Sequence, residues 1–238
     1  MVAIAPLATR LIAGIAVPNT ALINDTIALA RASLPDNGYN HVMRAWLNGQ
    51  AIINHLPDHN RSVVNVEAFG VATILHDLGW AFNTTFVSTE NAFEIDGAHA
   101  ARDFLLKSGD TRWNKHRLQL VWDAIAIHAH ADIAKHKEIE VALTSAGTLT
   151  EVTGPEIAKA QFGDLITVNR TEWEGILAAF PRPNFKAYLT ETSVHLCRIK
   201  PHTTYGNSLG DFGERYLPGY NRTGNRIIDQ LDLLFPDE

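Results

Sequence analysis

The protein has 238 residues, of which 46% are hydrophobic, 19% charged and 8% aromatic. This length and apolar content exclude a disordered chain and predict a single domain over residues 1–238. The 20 basic and 26 acidic side chains give a net charge of −6, which disfavours nucleic acid and anionic membranes as partners because both bind to positive surfaces.

Two further features of the sequence bear on location and partners. Cys197 is the single cysteine, so no internal disulfide can form. The longest apolar stretch near the N-terminus, 11–17, is too short to span a bilayer, and neither the basic segment nor the cleavage site of a signal peptide accompanies it. We therefore expect a cytoplasmic protein that acts on a small-molecule substrate, either as a monomer or as a homo-oligomer.

The apolar residues recur mostly at intervals of three and four positions, which predicts an all-α chain. The first helix is expected after Thr20, a capping residue, and before the turn cluster at 35–38. Further helices are predicted over about 39–56, 62–78, 95–107, 114–130, 139–153, 171–180, 185–199 and 226–234. Residues 200–223 differ, because glycines, prolines and four aromatic residues interrupt the pattern. They predict a long ordered C-terminal loop.

The positions of the eleven histidines point to a metal site. His41 lies in the second predicted helix, and the pair His76-Asp77 lies at the end of the third. Imidazole nitrogens and carboxylate oxygens both ligate zinc, iron or manganese. Three such residues can therefore converge on one cation. The alternative interpretation is a surface pair, or a carboxylate that caps a helix.

His41 followed by His76-Asp77 resembles the HD-domain superfamily of helical metal-dependent enzymes. The resemblance covers about residues 11–222. Within the superfamily, the sequence is most similar in detail to the cyanamide hydratase branch. The segments that carry it are 13–18 (AGIAVP), 93–98 (FEIDGA), 123–128 (DAIAIH), 133–137 (IAKHK) and 200–205 (KPHTTY). The resemblance implies an HD-type helical bundle, one Zn²⁺ ion and the addition of water to cyanamide to give urea.

Carried over to this sequence, the resemblance assigns His41, His76 and Asp77 as metal ligands. The superfamily has a further Asp ligand, and the matching stretch 147–154 (GTLTEVTG) carries Glu151 at that position. Because Glu is one methylene longer, Glu151 can ligate only if the backbone adjusts, and Asp164 is the alternative ligand. Iron and manganese are alternatives to zinc. Histidines usually form an adjacent pair in binuclear relatives, so the spaced pair at 128 and 130 favours one metal.

Proton transfer beside the metal is assigned to Asp77, His128 and His99. A neutral imidazole titrates near working pH and can carry a proton to or from the substrate. His99 stands where the family has Asn, and either histidine could instead be a core residue satisfied by a carbonyl. Trp80 and Phe82 are expected to wall the pocket or to belong to the core.

Three functions are compatible with these residues. The favoured function is a zinc-dependent hydratase, a hydro-lyase, that adds water to a small nitrile-like substrate. The second is a metal-dependent phosphohydrolase acting on a nucleotide, which the apolar stretch 78–80 and the net charge of −6 disfavour. The third is a metal-binding protein without turnover, suggested by Glu at position 151.

Overall fold

The computed structural model describes residues 7–82 and 85–236. Within these residues the chain forms thirteen α-helices and one two-stranded sheet, which confirms the predicted all-α class. No helix of this part of the chain is both long and apolar enough to cross a bilayer.

A short hairpin precedes the helices and was not predicted. Its strands β1 (Thr9–Ile12) and β2 (Ile15–Pro18) are antiparallel, with Ile12 opposite Ile15. The two turn residues, Ala13 and Gly14, have φ values of 50° and 80°. A two-residue hairpin turn favours positive φ at both positions because this matches the twist of the strands.

The helices occupy most of the remaining chain. They are α1 (Ala21–Ser33), α2 (Asp36–His55), α3 (Asp58–Arg61), α4 (Val66–Leu75), α5 (Phe93–Lys107), α6 (Lys115–Ala126), α7 (Ala131–Ala134), α8 (Ile139–Thr153), α9 (Pro155–Phe162), α10 (Arg170–Ala179), α11 (Phe185–Ile199), α12 (Leu209–Tyr216) and α13 (Ile227–Leu234).

Several helix boundaries follow from local capping. The Thr20 side chain accepts a hydrogen bond from Ile23 N at 3.3 Å, so α1 begins where the sequence predicts. The third predicted helix begins later than expected, at Val66, because Asn65 caps α4 by accepting from Ala68 N at 3.1 Å, and it ends earlier, at Leu75. The helix predicted over 114–130 ends at Ala126, and α7 follows after a break.

Two helices lie in segments where the sequence predicts none. The predicted helix over 139–153 ends at Thr153, and Pro155 begins α9, because a proline needs no hydrogen-bond acceptor in the first turn. The segment 200–223, predicted as a loop, contains α12. Leu209 of α12 is buried beside Leu196 and Cys197 of α11, and this apolar contact supports the helix.

The centre of the core is α2, which packs against α8 with little space between the two backbones. A Cβ atom on Gly147 would lie 2.4 Å from Ala45 O, and one on Gly49 would lie 3.2 Å from Leu143 O. The distance at Gly147 leaves no room for a side chain, so this position requires glycine. The close contact brings the first half of α2 beside the C-terminal half of α8.

Candidate metal centre

Three side chains that the sequence singles out lie together in the buried core. His41 is on α2, and His76 and Asp77 directly follow α4. One ligand atom of each residue lies within 4.8 Å of those of the other two. Their exposed fractions are 4%, 0% and 2%, respectively. This buried cluster could hold a metal ion, as the sequence predicts.

The distances within the cluster are short. His41 Nε2 lies 3.2 Å from His76 Nε2 and 3.3 Å from Asp77 Oδ2. His76 Nε2 lies 3.4 Å from Asp77 Oδ1. Because α4 ends at Leu75 and a 3₁₀ turn follows over 78–80, two consecutive side chains both approach α2.

Backbone carbonyls fix the hydrogen positions of two histidine rings. His76 Nδ1 lies 2.7 Å from Thr73 O, and His128 Nδ1 lies 2.7 Å from Ile125 O. A carbonyl oxygen only accepts hydrogen bonds, so in each neutral ring Nδ1 carries the hydrogen and Nε2 keeps its lone pair. Such contacts typically orient a histidine that ligates metal through Nε2.

A carboxylate lies beside the corresponding nitrogen of His41. Glu151 Oε2 on α8 lies 3.3 Å from His41 Nδ1, and Glu151 Oε1 accepts from the guanidinium of Arg44. Arg44 also donates to Phe180 O at 2.9 Å. Burial would raise the pKa of Glu151, but His41 and Arg44 outweigh it and lower this pKa. Glu151 is therefore an ionised partner on the far side of the His41 ring.

The donor chemistry fits a cation. When the hydrogen of a neutral His41 ring is on Nδ1, the side that faces Glu151, the Nε2 lone pairs of His41 and His76 face each other at 3.2 Å beside the Asp77 carboxylate. These atoms repel one another unless a positive charge lies between them. Two imidazoles and one carboxylate are ligands that zinc, iron and manganese accept.

Without a metal, a proton on His41 supplies that charge. Burial alone would lower the pKa of His41, but Glu151 and Asp77 outweigh it and raise the pKa to about 9. Burial would raise the pKa of Asp77, but His76 and His41 hold it well below its usual range. Burial and the neighbouring His76 lower the pKa of His128 to about 3, so His128 is neutral at pH 7. A proton and a metal ion therefore compete for His41 Nε2.

Neither candidate for the fourth ligand, Glu151 or Asp164, lies beside the atoms of His41, His76 and Asp77 that face one another. Glu151 contacts the opposite nitrogen of His41, as described above. Asp164 is fully exposed and lies 3.8 Å from Lys159. The extra methylene of Glu, together with the ion pair to Arg44, holds the carboxylate on the outer side of the imidazole.

The two histidines assigned to proton transfer have different surroundings. His128 is buried, its Nε2 lies 3.9 Å from Asp77 Oδ1, and its ring centre lies 4.6 Å from that of His76. His99 is exposed on α5 and packs beside Trp122 at 6.1 Å. Its neighbours at 97 and 98 face the core instead, so the His99 side chain lies on the solvent side of α5, away from the face that meets the His76 backbone.

Aromatic rings enclose the cluster. The Phe185 ring lies 5.5 Å from His41, and the Phe93 ring lies 5.7 Å from His128. Trp80 packs edge-to-face on Phe93 at 5.1 Å. The sequence does not indicate Phe185 as a residue of the site, because its only notable feature there is that it begins a predicted helix.

Trp80 and Phe82 border a cavity of about 210 Å³ together with His195. Trp80 is 8% exposed, and its buried Nε1 has no hydrogen-bond partner among the described residues. Phe82 is 37% exposed and packs edge-to-face on His195 at 4.7 Å. The cavity also contacts Gly79, two residues after Asp77.

Comparison with known proteins gives no matching family model and no curated protein of significant similarity. The fold and the site define a helical protein with a buried His-His-Asp cluster.

Proposed function

We propose that the protein is a metal-dependent enzyme of HD-domain type that adds water to a small uncharged nitrile, with cyanamide as the first substrate to test. The observation that carries this proposal is the buried cluster of His41, His76 and Asp77, whose Nε2 atoms and carboxylate converge inside a wall of aromatic rings.

Zinc is the metal we propose, held by His41 Nε2, His76 Nε2 and Asp77, with His128 Nε2 as the fourth donor. When bound, zinc would lower the pKa of water towards about 7, so that a neighbouring base can remove its proton at neutral pH. His128 is suited to bind the metal through Nε2, because its Nδ1 hydrogen is already bonded to Ile125 O and its ring is neutral at pH 7.

The surrounding residues hold the donors in place. Thr73 O orients His76, and Glu151 orients His41 while the Arg44 guanidinium neutralises Glu151. Outer contacts of this kind fix the ring orientation and raise the basicity of the ligating nitrogen.

The charges near the cluster favour an uncharged substrate over a nucleotide. Arg44 and Lys200 are buried cations of this region, and each is bonded to a carboxylate, Glu151 and Asp96, respectively. Neither is free to bind phosphate oxygens, which need several donors. The aromatic wall suits a small, largely apolar substrate.

The test combines metal analysis with two activity assays on protein purified without chelator. We expect about one equivalent of zinc and urea release from cyanamide that exceeds phosphate release from a panel of nucleotides. Faster phosphate release would assign the phosphohydrolase activity instead. Bound metal with neither activity would leave a metal-binding protein without turnover on these substrates and would contradict the proposal.

A further inference from the structure

The first turn of α5 packs directly against the segment that carries His76 and Asp77. A Cβ atom on Gly79 would lie 1.9 Å from Phe93 O, and one on Gly97 would lie 2.8 Å from His76 O. Both contacts are close enough to require glycine. The N-terminal part of α5 therefore lies against the backbone that presents the two metal ligands.

Glu94 occupies the face of α5 that makes this contact. It lies three residues before Gly97, and residues three apart share one face of a helix. Helical side chains also lean towards the N-terminus, which directs Glu94 away from Gly97 along the same face. Glu94 is 6% exposed, although it stands at the beginning of a helix, where carboxylates are usually solvated.

The Glu94 carboxyl is buried without being fully paired. Its Oε2 atom has no hydrogen-bond partner among the described residues. Asp96, two residues later, is also buried, but it accepts bonds from Ser88, Asn91 and Lys200. Leaving a buried polar atom unpaired is costly. Asp96 therefore connects three parts of the fold, whereas Glu94 has an oxygen available for another molecule.

The charges around Glu94 favour a protonation change near neutral pH. Burial raises the pKa of Glu94 to about 7, and the charge of Asp77 contributes to this rise. Lys200 acts in the opposite direction, as does the backbone amide of Glu94 itself. The effect of Lys200 is limited because its Nζ is bonded to Asp96 Oδ2 at 2.7 Å. A carboxyl that titrates near the working pH can both accept and donate a proton.

We propose that Glu94 is the proton-transfer residue of the site, an inference that rests on the proposed hydration. The ionised carboxylate accepts a proton from water as the water oxygen forms a bond to the nitrile carbon. One electron pair of the C≡N bond moves to nitrogen, and the Glu94 carboxyl returns the proton there. The product is an imidic acid, which tautomerises to the amide, so atoms and charges balance with water as the single co-reactant.

The first experiment compares Glu94→Gln with Asp103→Asn, a control on the exposed side of the same helix. We expect Glu94→Gln to retain zinc and to lower kcat on cyanamide about 100-fold or more, with loss of the pH-dependent limb near pH 7. Asp103→Asn should match the wild type. A Glu94→Gln variant with wild-type kcat, or one whose activity falls only in proportion to lost zinc, overturns the proposal for Glu94 while the hydration function stands.

The second experiment does not depend on activity. In protein labelled with ¹³C at the glutamate carboxyl, the Glu94 signal is identified by its absence in Glu94→Gln and Glu94→Asp. We expect this signal to titrate near neutral pH, and a carboxyl that remains ionised below pH 5 overturns the proposal. Wild-type protein that forms no urea overturns the proposed function and, with it, the role of Glu94.

Discussion

Glu151 and Asp77 approach the same imidazole of His41 from opposite sides, each at 3.3 Å. Glu151 contacts Nδ1 and Asp77 contacts Nε2. In the proposed metal site, the first carboxylate positions the ring and the second is a ligand. The two acidic residues should therefore differ in their effects on metal binding.

Replacing Asp77 should remove most of the metal. Asp77→Ala deletes the one carboxylate of the proposed site and leaves only imidazole donors, which hold a divalent cation less tightly. Metal analysis of the purified variant checks this, with Asp164→Asn as the control because Asp164 is fully exposed. Unchanged metal content in Asp77→Ala would refute the assignment of the cluster.

Replacing Glu151 should weaken metal binding without abolishing it. Glu151→Gln keeps the shape of the side chain but removes the charge that orients His41, and loss of such partners typically costs 10–100-fold in affinity. Competition with a chelator measures the change. The variant should also be less stable, because the buried Arg44 loses its carboxylate. Equal affinities of Glu151→Gln and the wild type would contradict the positioning role.

The two histidines assigned to proton transfer provide a matched pair. His128→Ala should weaken zinc retention about ten-fold or more, because His128 Nε2 faces the cluster 3.9 Å from Asp77 Oδ1. His99→Ala should leave zinc retention and stability unchanged, since His99 is exposed. A larger loss of zinc in His99→Ala than in His128→Ala would contradict the proposal that His128 binds the metal.

The metal-free protein should lose stability as the pH rises from about 6.5 to 9. The pKa of His41 is raised in the folded state to about 9, so its protonated form stabilises the fold below pH 6.5, and this contribution disappears as the proton leaves. The loss is about 3 kcal/mol at most. Urea unfolding of chelator-treated protein at several pH values measures it, and His41→Asn should lack this dependence.

The walls of the site should control substrate size. Trp80→Ala is expected to widen the range of accepted nitriles, at a cost of about 3–5 kcal/mol in stability because the ring is buried against Phe93. Phe82→Ala should cost less, because this side chain is partly exposed. Activity on a series of nitriles of increasing size, with zinc content as the control, tests this. Identical substrate ranges in both variants and the wild type would place the two rings outside the pocket.

The sequence predicts those helices whose ends are marked by neighbouring turn residues. The residues 139–153 and 185–199 form helices with the predicted bounds, because turn residues flank an amphipathic stretch in each case. The hairpin over 9–18 was missed because its strands have four residues each. Such short strands carry too little alternation to be distinguished from an irregular segment.

The site was predictable where the residue type alone indicates the chemistry. His41, His76 and Asp77 satisfy this condition, and the structure brings them together. The positions of the Glu151 and His99 side chains could not be predicted in this way, because they depend on which face of each helix packs against the core. Successive residues differ by about 100° around a helix, so His99 points outward although Gly97 touches the backbone of His76.

The burial of the cluster has a consequence for the kinetics of metal exchange. The proposed ligands come from α2, from the end of α4 and from the turn after α6, and all of these side chains are buried. A chelator would reach a bound ion only when these helices separate. The rate of metal loss should therefore reach a plateau with rising chelator concentration, and that plateau measures how often the core opens.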